Sequence, residues 1–166
     1  VTLENSYAVG VTYVTTAGDS TVTIGAGYNQ GDHNSQTTTK DNTTYHLGAT
    51  VVTGDLTVGA GFASGDWLSD NEQMQGDYSA IGASYVSGDV TFSIGMTSGS
   101  AKDESIGVAA TSGEDSTDVV GASVDYVIAS GVTGTVGYRS EDTTLEGTTS
   151  NTHSGSSWYV GATVSF

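Results

Sequence analysis

Apolar residues recur at every second position through nine stretches of this chain, and the last stretch shows it most plainly. Trp158, Val160, Ala162, Val164 and Phe166 alternate with Tyr159, Gly161, Thr163 and Ser165. A β-strand points successive side chains to opposite faces, so such a segment has one oily face and one that is wet apart from its tyrosine. The same pattern predicts strands at about 5–14, 21–28, 43–52, 56–62, 78–86, 90–97, 118–127, 132–139 and 158–166. Typical oily sets are Tyr7, Val9, Val11 and Tyr13 on the first strand, and Val90, Phe92, Ile94 and Met96 on the sixth. The opposite faces are nearly all Gly, Thr, Ser and Ala.

The strands come as repeated hairpins. Tetrads of an apolar residue, Gly, a small residue and a hydroxyl residue begin at Val9, Leu47, Ile81, Val120 and Val160, and their glycines are 38, 34, 39 and 40 residues apart. Short turns follow the first four: Ala17-Gly18-Asp19, Thr53-Gly54-Asp55, Ser87-Gly88-Asp89 and Ala129-Ser130-Gly131. Gly and Asp supply the backbone conformations that tight hairpins need. The other ends carry the long segments 29–42, 63–77, 98–117 and 140–157, expected here as loops that hold most of the acids. Aromatics gather at strand ends. Tyr7, Tyr28, Tyr45, Phe62, Tyr138 and Trp158 lie toward the long segments, with Tyr13, Tyr85, Phe92, Tyr126 and Phe166 toward the short turns. Two aromatic belts and asymmetric loops are the pattern of a membrane β-barrel.

Composition agrees with a single domain over 1–166 that hides its hydrophobicity in alternation. Hydrophobic residues are 36% and charged residues 13%, with 24 Gly, no Pro and no Cys. No run approaches the ~18 apolar residues of a membrane-spanning helix. With 19 acids against 3 bases the net charge is −16, which argues against nucleic acid and against an anionic membrane surface as partner. The same acidity favours cations near any pore mouth. A soluble β-sandwich or solenoid stays open as a second account, because its core would use the same oily faces.

The closing strand, with Phe166 last and Val164, Ala162, Val160 and Trp158 before it at period two, resembles the final strand of bacterial outer-membrane β-barrels. In that family this arrangement is the signal read by the barrel-assembly machinery. All nine strands together resemble the carboxy-terminal half of Gram-negative general porins, particularly the acidic alphaproteobacterial type. The fold implied is an antiparallel transmembrane β-barrel in the outer membrane, these being nine strands of a sixteen-stranded porin barrel. The parity agrees, since nine strands leave the two ends of the chain on opposite sides of the membrane. The resemblance further implies a homotrimer, contact with outer-membrane lipid and lipopolysaccharide, and passive diffusion of ions and small hydrophilic solutes with no cofactor. An intact eight-stranded barrel with a structural or adhesive role is the competing expectation.

Three ionisable residues fall on the wet faces of strands: His46, Asp125 and Arg139. They would line a lumen and set its local potential, or simply be solvated wall residues. Arg139 stands near Glu141 and Asp142, either of which could pair with it. Two acid groups in the long segments, Asp66, Asp70, Glu72 and Asp77 and then Asp103, Glu104, Glu114 and Asp115, are candidate Ca²⁺ ligands. No EF-hand spacing supports a specific calcium site, and a diffuse acidic surface is the plainer reading. Catalysis finds little footing. His33, His46 and His153 stand among abundant Ser and Asp, but no nucleophile motif appears.

Overall fold

A computed structural model describes residues 2–34, 39–69, 72–105, 114–145 and 151–165. Nine strands make up one sheet: β1 (Thr2–Ala17), β2 (Ser20–Asn34), β3 (Thr39–Thr53), β4 (Leu56–Ser69), β5 (Glu72–Ser87), β6 (Val90–Ser105), β7 (Glu114–Ala129), β8 (Val132–Leu145) and β9 (Asn151–Val164). Their order in the sheet is their order in the chain, and every neighbouring pair is antiparallel. Among the described residues β1 pairs only with β2 and β9 only with β8, so the sheet is open at both edges and does not close on itself.

Turn chemistry sets this meander. Gly18, Gly54 and Gly88 hold φ of 61°, 55° and 59° and are each followed by an Asp, the glycine-first form of a two-residue hairpin. The fourth turn places Gly131 second, with φ 76°, and a register shift between Val127 and Ala129 leaves Ile128 without a partner residue. These turns are also tied sideways. The Val86 amide donates to the Asp55 carbonyl at 3.0 Å, Val127 to Asp89 at 2.9 Å, and Ser165 to Gly131 at 2.8 Å. Each of these three hairpins is thereby fastened to the strand beyond it.

The strands run 14–16 residues, well past the expected boundaries, because most of the segments read as long loops pair as strand. A strand of that length, tilted by about 40°, rises roughly 35–40 Å, against an apolar band of about 25 Å. The excess stands in water. There both faces of the sheet are wet, so the polarity contrast that marks a strand in sequence disappears while the backbone pairing continues.

All the oily sets fall on one face, with cross-strand pairs such as Leu47 with Phe62, Ile81 with Met96 and Val124 with Val136. Burial is inverted relative to a soluble sheet. On β7 the apolar positions are the exposed ones and the small or polar positions between them are part-covered. Even in mid-sheet Ile94 is 60% exposed and Met96 53%. Among the described residues the only buried ones are three glycines, Gly31, Gly65 and Gly137. A sandwich or solenoid would cover its oily face, and nothing among the described residues covers this one. A surface of that extent is stable only against an apolar medium.

Aromatic belts appear where expected. On the oily face Tyr7 and Tyr28 lie 6.1 Å apart, Tyr45 and Phe62 6.1 Å, and Tyr138 and Trp158 5.0 Å. The Tyr7 and Tyr28 hydroxyls both donate to Gln30 Oε1 at 2.8 Å, with apolar ring bodies and polar tips as at a lipid–water boundary. Toward the turns Tyr85 pairs with Phe92.

The hairpin argument has a clean test at Gly54, where an added Cβ would meet no atom within 4 Å and any cost must come from φ alone. Gly54→Ala should destabilise the folded protein by about 1 kcal/mol, and Gly54→Asn by less. Gly121→Ala, mid-strand with only an ordinary 3.5 Å contact, should cost less than Gly54→Ala. Urea unfolding in detergent micelles orders the three.

Candidate functional site

The face opposite the oily one is paved with residues that have little or no side chain. Gly25 pairs with Gly48, Gly48 with Gly61, Gly59 with Gly82, Gly82 with Gly95 and Gly95 with Gly121, a row of glycines across mid-sheet. Larger groups stand on this pavement. His46 faces Gly27 on the neighbouring strand, and a Cβ at Gly27 would collide with its imidazole. Tyr159 faces Gly137 in the same manner, its ring lying over the glycine and burying it. A strand glycine here serves close approach of a ring.

Polar groups concentrate on β7, β8 and β9. The Thr135 hydroxyl donates to the Asp125 carboxylate. Arg139 Nη2 donates to Glu141 Oε2 at 2.7 Å, and the Thr143 hydroxyl reaches the other oxygen of Glu141 at 3.4 Å. Ser157, Gly155 and His153 of β9 stand opposite Arg139, Glu141 and Thr143. His46, Asp125 and Arg139 are thus all on the inner face, as the alternation predicts. His46 lies on β3, away from the Asp125 and Arg139 pair on β7 and β8. Arg139 takes Glu141 rather than Asp142, which alternation sends to the opposite face.

The acidic residues need correction as to place. Asp66, Glu72, Asp77, Asp103, Glu104, Glu114 and Asp115 are on strands β4 to β7, not in loops, because these strands run on past the apolar alternation. Asp70 lies outside the described residues, and of Glu72, Asp103 and Glu104 only the backbone is described. By alternation Asp66, Asp77 and Glu114 share the oily face, above its apolar band, whereas Asp115 is on the inner face. Division between two faces keeps these acids from converging. Among the described residues no group of three His, Cys, Asp or Glu is placed to hold a metal ion. Glu114 has a cation beside it, Lys102 Nζ at 3.5 Å. A hydrogen bond from Ser100 and then the Lys102 charge hold its carboxyl below the usual carboxylate range.

Of the closing-strand set, Trp158, Val160, Ala162 and Val164 share the oily face of β9, and Phe166 lies outside the described residues. Sequence reasoning missed Glu141, His153 and Asp115 as inner-face groups, having left them in loops. It also set aside Tyr78 and Tyr159, the inward tyrosines. Extending the period-two count past the last apolar residue, from 139 to 141 and 143 and from 157 back to 153, would have found the first two.

The rim ion pair makes a titration prediction. Because the folded-state pKa of Glu114 is depressed, its carboxylate persists to lower pH, and what it adds to stability is lost as pH falls through that value. Ser100→Ala and Lys102→Ala should each raise the Glu114 pKa toward the ordinary carboxylate range, the first by removing a hydrogen bond and the second by removing both a charge and a hydrogen bond. Side-chain carboxyl NMR against pH reads both shifts.

A family model described as Gram-negative porin matches residues 2–145. Among solved structures, OmpT of Vibrio cholerae superposes with TM-score 0.63 at 18% identity, over 96% of this chain and 56% of that one. OccAB4 of Acinetobacter baumannii gives TM-score 0.59 at 14% identity, over 96% and 46%, and the alcaligin receptor FauA of Bordetella pertussis 0.55 at 14%, over 96% and 32%. At these identities the likeness is one of fold, and the chain spans about half the length of the first two. Comparison with curated protein sequences gives no match. The family match covers most of the sheet, and the exposed oily face fits the outer membrane in which that family resides: the chain belongs to the Gram-negative porins.

Proposed function

We propose that this chain forms part of the wall of a water-filled outer-membrane channel through which ions and small hydrophilic solutes diffuse passively, with cations preferred. The observation that carries the reading is the inverted burial. The oily face is turned outward with nothing among the described residues to cover it, and the opposite face is built of Gly, Ser and Thr that leave room for water. Lipid anchors one side and solute passes along the other.

Charge supports the cation preference. Of the side chains described on the inner face, Asp115, Asp125 and Glu141 are acidic and Arg139 is basic, so carboxylates outnumber guanidinium on this wall. Asp19, Asp55 and Asp89 add acids at the turns. Such a field raises the local concentration of cations and lowers that of anions. The reading calls for no catalytic residue and no cofactor. It includes homotrimeric assembly, contact with lipid and lipopolysaccharide along the oily face, and recognition of β9 by the barrel-assembly machinery.

The native polypeptide containing this chain, reconstituted in planar bilayers, should give discrete ohmic steps and a cation-selective reversal potential in a KCl gradient. Asp125→Asn should move that potential toward zero and Arg139→Gln away from it. Absence of steps from protein shown to be folded would overturn the channel, and an anion-selective potential would overturn the charge argument.

A further inference from the structure

Beside Tyr159 the inner wall holds a recess with a definite chemistry. Its floor is the cross-strand pair Gly95 and Gly121, which contributes no side chains. Hydroxyls of the paired Ser93 and Ser123 border it toward the turns. Tyr159 and Arg139 close one side. One face of the Tyr159 ring rests on Gly137, yet the residue is 47% exposed, so the rest of the ring is presented to the lumen.

We propose that this recess is a binding site for neutral, hydroxyl-rich ring solutes, that is, monosaccharides in the pyranose form; the proposal rests on the channel reading above. Three features select that class. An aromatic face attracts the C–H groups that cluster on one side of a pyranose. A floor without Cβ atoms lets a flat ring settle against the backbone. The third feature is charge. Glu141 sits 2.7 Å from the Arg139 guanidinium, so the pair has no net charge, while Arg139 and the Ser93 and Ser123 hydroxyls give the recess the donors and acceptors that neighbouring sugar hydroxyls require. A free arginine would draw organic anions, and Glu141 removes that attraction. A bare carboxylate would draw cations, and Arg139 removes that one. What remains matches a neutral polyol ring.

Single-channel recording with the native polypeptide containing this chain tests it, with D-glucose as probe, glycerol at matched viscosity as control and benzoate as the competing class. The result expected is a saturable glucose-dependent fall in current with added noise. Tyr159→Ala should raise the half-blocking concentration about tenfold, and Tyr159→Phe should leave it within about twofold. Heat-shifted migration on SDS gels verifies that each variant is folded. Block by glucose no greater than by glycerol, equal block in Tyr159→Ala and wild type, or stronger block by benzoate would each overturn the proposal. Conductance without sugar reports the channel reading separately. Should the protein not conduct, saturation-transfer NMR from the Tyr159 ring to glucose in micelles decides, with transfer supporting the recess and its absence overturning it.

Discussion

Everything in this sheet depends on the backbone having no water to bond to within a hydrocarbon layer. Each unpaired N–H or C=O there costs several kcal/mol, so strands survive only with a partner on each side. A neighbour-to-neighbour antiparallel order meets that demand with the shortest connections, and two-residue Gly-Asp turns supply them. The lateral bonds from Val86, Val127 and Ser165 to the preceding turns extend the pairing to the rim of the sheet, where ladders usually end. The same constraint bears on the edges. With nine strands, β1 and β9 run in the same direction, so a second copy inserted the same way up would meet either edge in parallel. Antiparallel closure takes an odd number of further strands.

Once the backbone is satisfied, side chains are free to reverse the usual rule of inside and outside. Large apolar groups face outward because the medium there is apolar, and the opposite face is built of small residues. This is why a chain with 36% hydrophobic residues lacks any packed core of side chains among its described residues. Stability comes from the ladder and from lipid, and the few large groups on the inner face, such as His46 and Tyr159, are seated on glycines of the neighbouring strands.

The division between what was legible in the sequence and what was not follows the same physics. Within the bilayer the two faces meet different media, so polarity alternates and the strands, the oily face and the inward direction of His46, Asp125 and Arg139 could all be read. Above it both faces meet water. There the alternation vanishes, and the strands carrying Asp66, Asp77, Glu114 and Asp115 looked like loops. For Arg139 the sequence left Glu141 and Asp142 both open as partners, and only the longer strand, which places Glu141 two positions up the same face, decides between them. Tyr159 was visible as an exception in its strand, but its seat on Gly137 depends on the register between β8 and β9, which no single-strand pattern contains.

Register is what turns scattered exceptions into a site. Tyr159, Arg139, Glu141 and His153 are spread over β8 and β9, and the antiparallel pairing of Gly137 with Tyr159 and Arg139 with Ser157 brings them onto one stretch of wall. A one-residue slip would turn the β9 groups outward and set Trp158 and Val160 toward the small face. Lipid opposes that slip across the whole oily face of the strand. The apolar exterior thereby fixes which side chains stand on the inner face without touching any of them.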